Sequence, residues 1–228
     1  SLNFFDFNFF SKRLNVINTQ KPYLKESFYF FVINISTIFL INSIYFLINF
    51  FFSSAEVVTY SISFKLFSSL LVLFYLFLAP FWSAITDSFL KTDFEWIKKA
   101  FLKMLFFYLL FVLCVFIIYN FSDFIFDFWI GKDTIIPHEI NFALFIYVLI
   151  MGWNSLFAHV LNGLKKIDYQ FRIAIFHILT NIPICWFFAI YLDLGMIALI
   201  WATNLNLLLL SVFLPVELLL ITKKINTK

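Results

Sequence analysis

Lys65 carries the clearest chemistry in this chain, because it stands inside an otherwise apolar stretch, Val57 to Ala84, nine residues past Glu56. At 1.5 Å per residue that places it roughly 13 Å along a helix, deep for full snorkelling, although partial snorkelling is a competing reading. An ammonium that meets water at that depth attracts an anion, most naturally a phosphate or a carboxylate. It has company. At about 100° per residue, Ser61, Lys65, Ser68 and Tyr75 fall within one sector of roughly 80°. In the preceding stretch, Ser27 to Ser53, residues Asn34, Asn42, Tyr45 and Asn49 do the same. Polar side chains are costly in hydrocarbon unless they face water or a protein partner, so two such rows imply a lined, wet path.

The elements that position these rows follow from composition. The chain has 228 residues, of which 63% are hydrophobic and 13% charged, with 37 Phe and only 4 Gly. A soluble domain has about 25% charged residues, so this is a polytopic membrane protein. Long apolar runs without alternating short strands point to an all-α bundle and away from a β-barrel. Six transmembrane helices are expected, at about 27–53, 57–84, 100–120, 139–161, 171–191 and 195–221. They form one domain over 27–222, between a leading interfacial segment 1–26 and a cytoplasmic tail 223–228. KPYLKES is expected to start the first helix. The chain opens on Ser, with no leader or lipidation motif, and is expected to be part of something longer.

Fourteen of the sixteen basic residues fall in the leading segment, the tail and the second-to-third and fourth-to-fifth connections. Only Lys65 and Lys132 lie elsewhere. The positive-inside bias therefore places both ends in the cytoplasm. The net charge of +3 is too small to suggest a nucleic-acid partner.

Other motifs have plainer readings. The run Thr86 to Met104 places Phe94, Ile97 and Phe101 on one side and Asp93, Lys98 and Lys99 elsewhere, as expected of a helix lying in the cytoplasmic interface. Gly152, Ser155, His159 and Asn162 align, as do His177, Asn181 and Cys185, and both rows read as helix-to-helix packing. A lone buried His is more often neutral and hydrogen-bonded than a proton relay. Cys114 and Cys185 read as small core residues, and no spacing recommends a metal. The third span lacks a polar row and should face lipid. Glu217, near Lys223, reads as structural. Pro80, Pro183 and Pro215 should bend their helices.

The order of SSAEVVTYSISFKLFSSL, LAPFWSAITDSFLKTDFEWIKKAFLKM, FWIGKD and LNGLKKIDYQFRIAIFHILTNIP resembles the C-terminal half of polysaccharide flippases of the oligosaccharidyl-lipid exporter group, relatives of MATE drug exporters. The likeness spans most of Pro22 to Lys224. It implies one lobe of a two-lobe transporter whose central cleft opens to alternate sides, with the first two helices of each lobe bordering that cleft. It further implies that Lys65 meets the pyrophosphate of a polyprenyl-linked oligosaccharide such as an O-antigen unit of lipopolysaccharide. The implied partners are that lipid-linked sugar, membrane lipids and a missing N-terminal lobe, in the bacterial inner membrane, without a cofactor. A drug/cation antiporter would want carboxylates inside the spans, where only Glu217 lies. A membrane polymerase would want a large outer loop, and an acyltransferase a His paired with a carboxylate.

Overall fold

The computed structural model describes residues 7–131, 136–192 and 194–226, with side chains from 24 to 222 of these. Lys132 and the tail lysines, with the opening aromatic run, lie outside the described side chains. Among the described residues all regular structure is helical: α1 Phe7–Phe51, α2 Ser54–Leu90, α3 Phe94–Asn120, α4 Ser122–Trp129, α5 His138–Gly163, α6 Asp168–Tyr191 and α7 Ile197–Asn226. All except α4 are long and apolar enough to cross a membrane, and these six match the six expected spans. No Gly precedes Gly131, so little interrupts the first helices. Accordingly α1 does not start at KPYLKES but at Phe7.

Two turns at one end of the bundle are built alike. After α2, Asp93 N–H bonds Ser88 O at 2.9 Å and Thr92 N–H bonds Phe89 O at 3.1 Å, with Thr92 at φ 58°. After α5, Lys166 N–H bonds Leu161 O at 2.8 Å and Lys165 N–H bonds Asn162 O at 3.0 Å, with Lys165 at φ 56°. Both are Schellman closures with a non-glycine residue in the left-handed position, which costs on the order of 1–2 kcal/mol and is offset by satisfied helix carbonyls. Asp93 then caps α3 by accepting from Trp96 N–H at 3.0 Å. The expected interfacial helix over Thr86 to Met104 is therefore absent. Three residues, Lys91 to Asp93, join two long helices, and the nearby lysines occupy the first turns of α3.

The central helix is α5, whose Ile140, Leu144, Val148, Leu156, Val160 and Leu161 are all buried. It packs against α2, α3 and α7, while α1 rests mainly on α6. Two glycines permit the close approach. A Cβ on Gly163 would lie 2.5 Å from Ile85 Cγ2 of α2, and one on Gly152 would lie 2.7 Å from the Phe111 ring of α3. Polar side chains then tie the helices together, as expected in a medium where leaving a polar group unpaired is costly. Ser43 Oγ donates to Asn181 Oδ1 at 2.9 Å, Gln170 Nε2 to Asn162 Oδ1 at 2.9 Å, and Cys185 lies 3.8 Å from Thr203 Oγ1. The packing reading of the fourth and fifth spans agrees with these bonds.

The third span, α3, faces outward with Leu102, Phe106, Leu109, Leu113 and Phe116, but it buries Met104, Phe111 and Val115 against its neighbours. Cys114 lies on the outward side and is exposed, contrary to its reading as a core residue; Cys185 is buried. The three prolines stand inside α2, α6 and α7. Glu217 is buried on α7, and its Oε2 has no partner among the described residues.

Candidate substrate path

The two polar rows meet the structure in different ways. Asn34, Asn42 and Asn49 are exposed on the outer face of α1 and keep their amides occupied locally. Asn34 Nδ2 donates to Phe30 O at 2.8 Å, Asn42 Nδ2 to Ile38 O at 2.7 Å, and Asn49 Oδ1 accepts from Ser54 Oγ at 2.9 Å. In each case the other amide atom has no hydrogen-bond partner among the described residues. Lys65 is exposed on α2 and joins no ion pair among the described residues. Ser68 is half-buried, with Oγ 3.5 Å from Lys65 O. The three asparagines share an outward side of α1 with Phe31, Ile35, Ile38, Phe46 and Phe50, while Lys65 and Ser68 lie on α2.

The remaining three turn inward. Tyr45 stacks edge-on against Tyr60, with centroids 5.1 Å apart, and approaches Ser61 of α2. Tyr75 reaches α5 beside Ser155. They act as struts that hold α1 and α2 on the bundle. Contacts between α1 and α2 include the Tyr45 cluster, the Ser54–Asn49 bond and, near the basic end, Phe30 against Trp82 at 5.3 Å.

A cavity of about 140 Å³ lies between α1, α5, α6 and α7, lined by Ser36, Thr37, Asn154, Ser155, Gln170 and His177 among apolar side chains. It has room for several water molecules. Ser36 Oγ donates to Ala174 O at 3.0 Å; Asn154 Nδ2 donates to Leu207 O at 3.2 Å and its Oδ1 accepts from Ser211 Oγ at 2.8 Å. His177 is 3% exposed, and its Nε2 has no partner among the described residues. His159, by contrast, is held at 2.7 Å by Ser155 O of its own helix. The lining is neutral, so the cavity can hold water or a hydroxylated group by hydrogen bonds but carries no charge of its own.

Sequence reasoning passed over Ser36, Asn154 and Gln170 here, and Thr203, Asn204 and Asn206 on α7, all of which are buried. The signal was present in the run TNLN at the head of a leucine-rich span. Among the described residues no three His, Cys, Asp or Glu side chains gather closely enough to hold a metal ion.

No family model matches the chain, and no curated protein matches it. Among solved structures it is similar to a crystal structure of a MATE mutant, with a TM-score of 0.64 and 14% identity over 86% of this chain. The likeness takes in 45% of that structure, so the chain spans less than half the length of its neighbour. In fold, the described residues form a MATE-like all-α bundle with six helices long and apolar enough to cross a membrane.

Proposed function

We propose that this chain is one lobe of a membrane transporter that carries a polyprenyl-pyrophosphate-linked oligosaccharide, an O-antigen type unit, across the bacterial cytoplasmic membrane by alternating access, with both chain ends on the cytoplasmic side. The observation that supports the reading is Lys65, exposed on α2, a helix long and apolar enough to cross a membrane, and joining no ion pair among the described residues. An ammonium on an apolar span is costly unless it reaches water or a partner, so that face is better explained by a wet cleft closed by a second lobe. Between Glu26 and Glu56, and between Glu56 and Asp87, there is no Asp or Glu. The path thus carries one positive charge and no negative one, which suits an anionic cargo. The open amide groups of Asn34 and Asn42 suit sugar hydroxyls.

A second reading, a MATE-type drug/cation antiporter, draws on the fold neighbour. It needs a carboxylate in the path, which would have to come from the other lobe. Proteoliposomes holding the full-length protein separate the two. With a fluorescent polyprenyl-pyrophosphate oligosaccharide, the label should cross between leaflets, read by impermeant dithionite, while ethidium stays put. Ethidium movement with no lipid movement would overturn the anionic reading.

A further inference from the structure

The short helix α4 has three distinct sides. At about 100° per residue, Phe121, Phe124, Ile125, Phe128 and Trp129 cover one sector of roughly 140°. Phe124 and Phe128 are 72% and 87% exposed, the latter the most open large apolar side chain described. Ser122 and Phe126, on the second side, are 1% and 3% exposed and seat the helix on the bundle. Asp123 and Asp127, on the third, are exposed and unpaired among the described residues. A loop in water would not hold two phenylalanines open in this way, and a helix within the hydrocarbon would not carry two carboxylates.

We infer that α4 lies flat in the headgroup region of the leaflet opposite the basic turns, with its aromatic side in the acyl boundary and its aspartates in water. Continuity argues for lipid as the occupant. The outward surface of α3, with Leu109, Leu113, Phe116 and Ile117 exposed, leads through one turn at Phe121 directly into the aromatic side of α4. The seat is specific. Ser63 Oγ donates to Asn141 Oδ1, Asn141 Nδ2 donates to Ser122 Oγ at 3.4 Å, and Ser122 Oγ donates to Tyr119 O at 2.8 Å. This relay joins α4 through α5 to α2, two residues from Lys65. The interfacial helix thereby sets the depth at which that face of the lobe rides in the membrane.

Single cysteines at positions 123, 124, 127 and 128, in the purified protein carrying Cys114→Ala and Cys185→Ala, would be nitroxide-labelled in vesicles of phosphatidylethanolamine and phosphatidylglycerol. Collision with oxygen reports acyl chains and collision with a water-soluble nickel chelate reports water. The oxygen-to-nickel ratio should be several-fold higher at 124 and 128 than at 123 and 127. A label replacing Leu109 confirms insertion by reading as fully lipid-exposed. Four equal ratios, whether all water-like or all lipid-like, would overturn the assignment. The readout involves no cargo, so its outcome is separate from that of the transport reading.

Discussion

Lys65→Ala should lower movement of the lipid-linked sugar by roughly 10- to 100-fold, since a hydrogen bond to a charged group is worth about 1.5–3 kcal/mol. Lys65→Arg should retain most of the activity, because the guanidinium keeps the charge and can grip a phosphate with two donors. Initial flipping rate in vesicles measures the effect directly, and surface polysaccharide in cells measures its consequence. The variant should fold normally, since Lys65 is exposed and holds no ion pair among the described residues. Alanine at wild-type rate would remove Lys65 from the path.

The second large effect concerns the support of that path. Gly163→Ala should destabilise the bundle by about 1–3 kcal/mol through overpacking. The new Cβ would stand 2.5 Å from Ile85 Cγ2, 2.7 Å from Ile85 Cβ and 3.2 Å from Trp82 O. The last two belong to or adjoin the backbone of α2, so relief requires the α2–α5 seam to open at its basic end. Gly152→Ala meets chiefly the Phe111 ring edge, which can swing, and should cost less. Thermal unfolding in detergent should rank the variants wild type, Gly152→Ala, Gly163→Ala in falling order. An unchanged midpoint for Gly163→Ala would show that the seam is looser than this geometry.

The six long helices were legible because each presents an uninterrupted apolar run, and hydropathy needs no knowledge of partners to find it. What escaped was local. Residues 122–129 are too short for a span, and Asp123 and Asp127 break the run, so they read as a loop although their three-sided spacing was there to be seen. The stretch around Lys91 to Asp93 read as one horizontal helix because its charges and aromatics alternate suitably. Its capping Asp93, three residues before Trp96, was the sign of a break. The polar rows were legible as faces, but spacing alone does not say which way a face points. Tyr45 and Ser61 turn in, whereas Asn42 and Lys65 turn out, and that choice is made by how α1 and α2 pack on each other. The buried amides of α7 escaped for the same reason. Asn204 takes its partner, Ala143 O at 2.9 Å, from another helix that no local pattern identifies.

The account rests on the outward face of α1 and α2 being wet, and thiol accessibility measures that most directly. In full-length protein carrying Cys114→Ala and Cys185→Ala, cysteines in place of Asn42 and Ser68 should react with a membrane-impermeant maleimide many-fold faster than one in place of Leu109, whose side is turned outward on α3 and 65% exposed. Thiolate forms readily in water and poorly in hydrocarbon, so the rate reports solvent. Equal labelling at all three positions would mean that lipid, not a cleft, covers the face that carries Lys65.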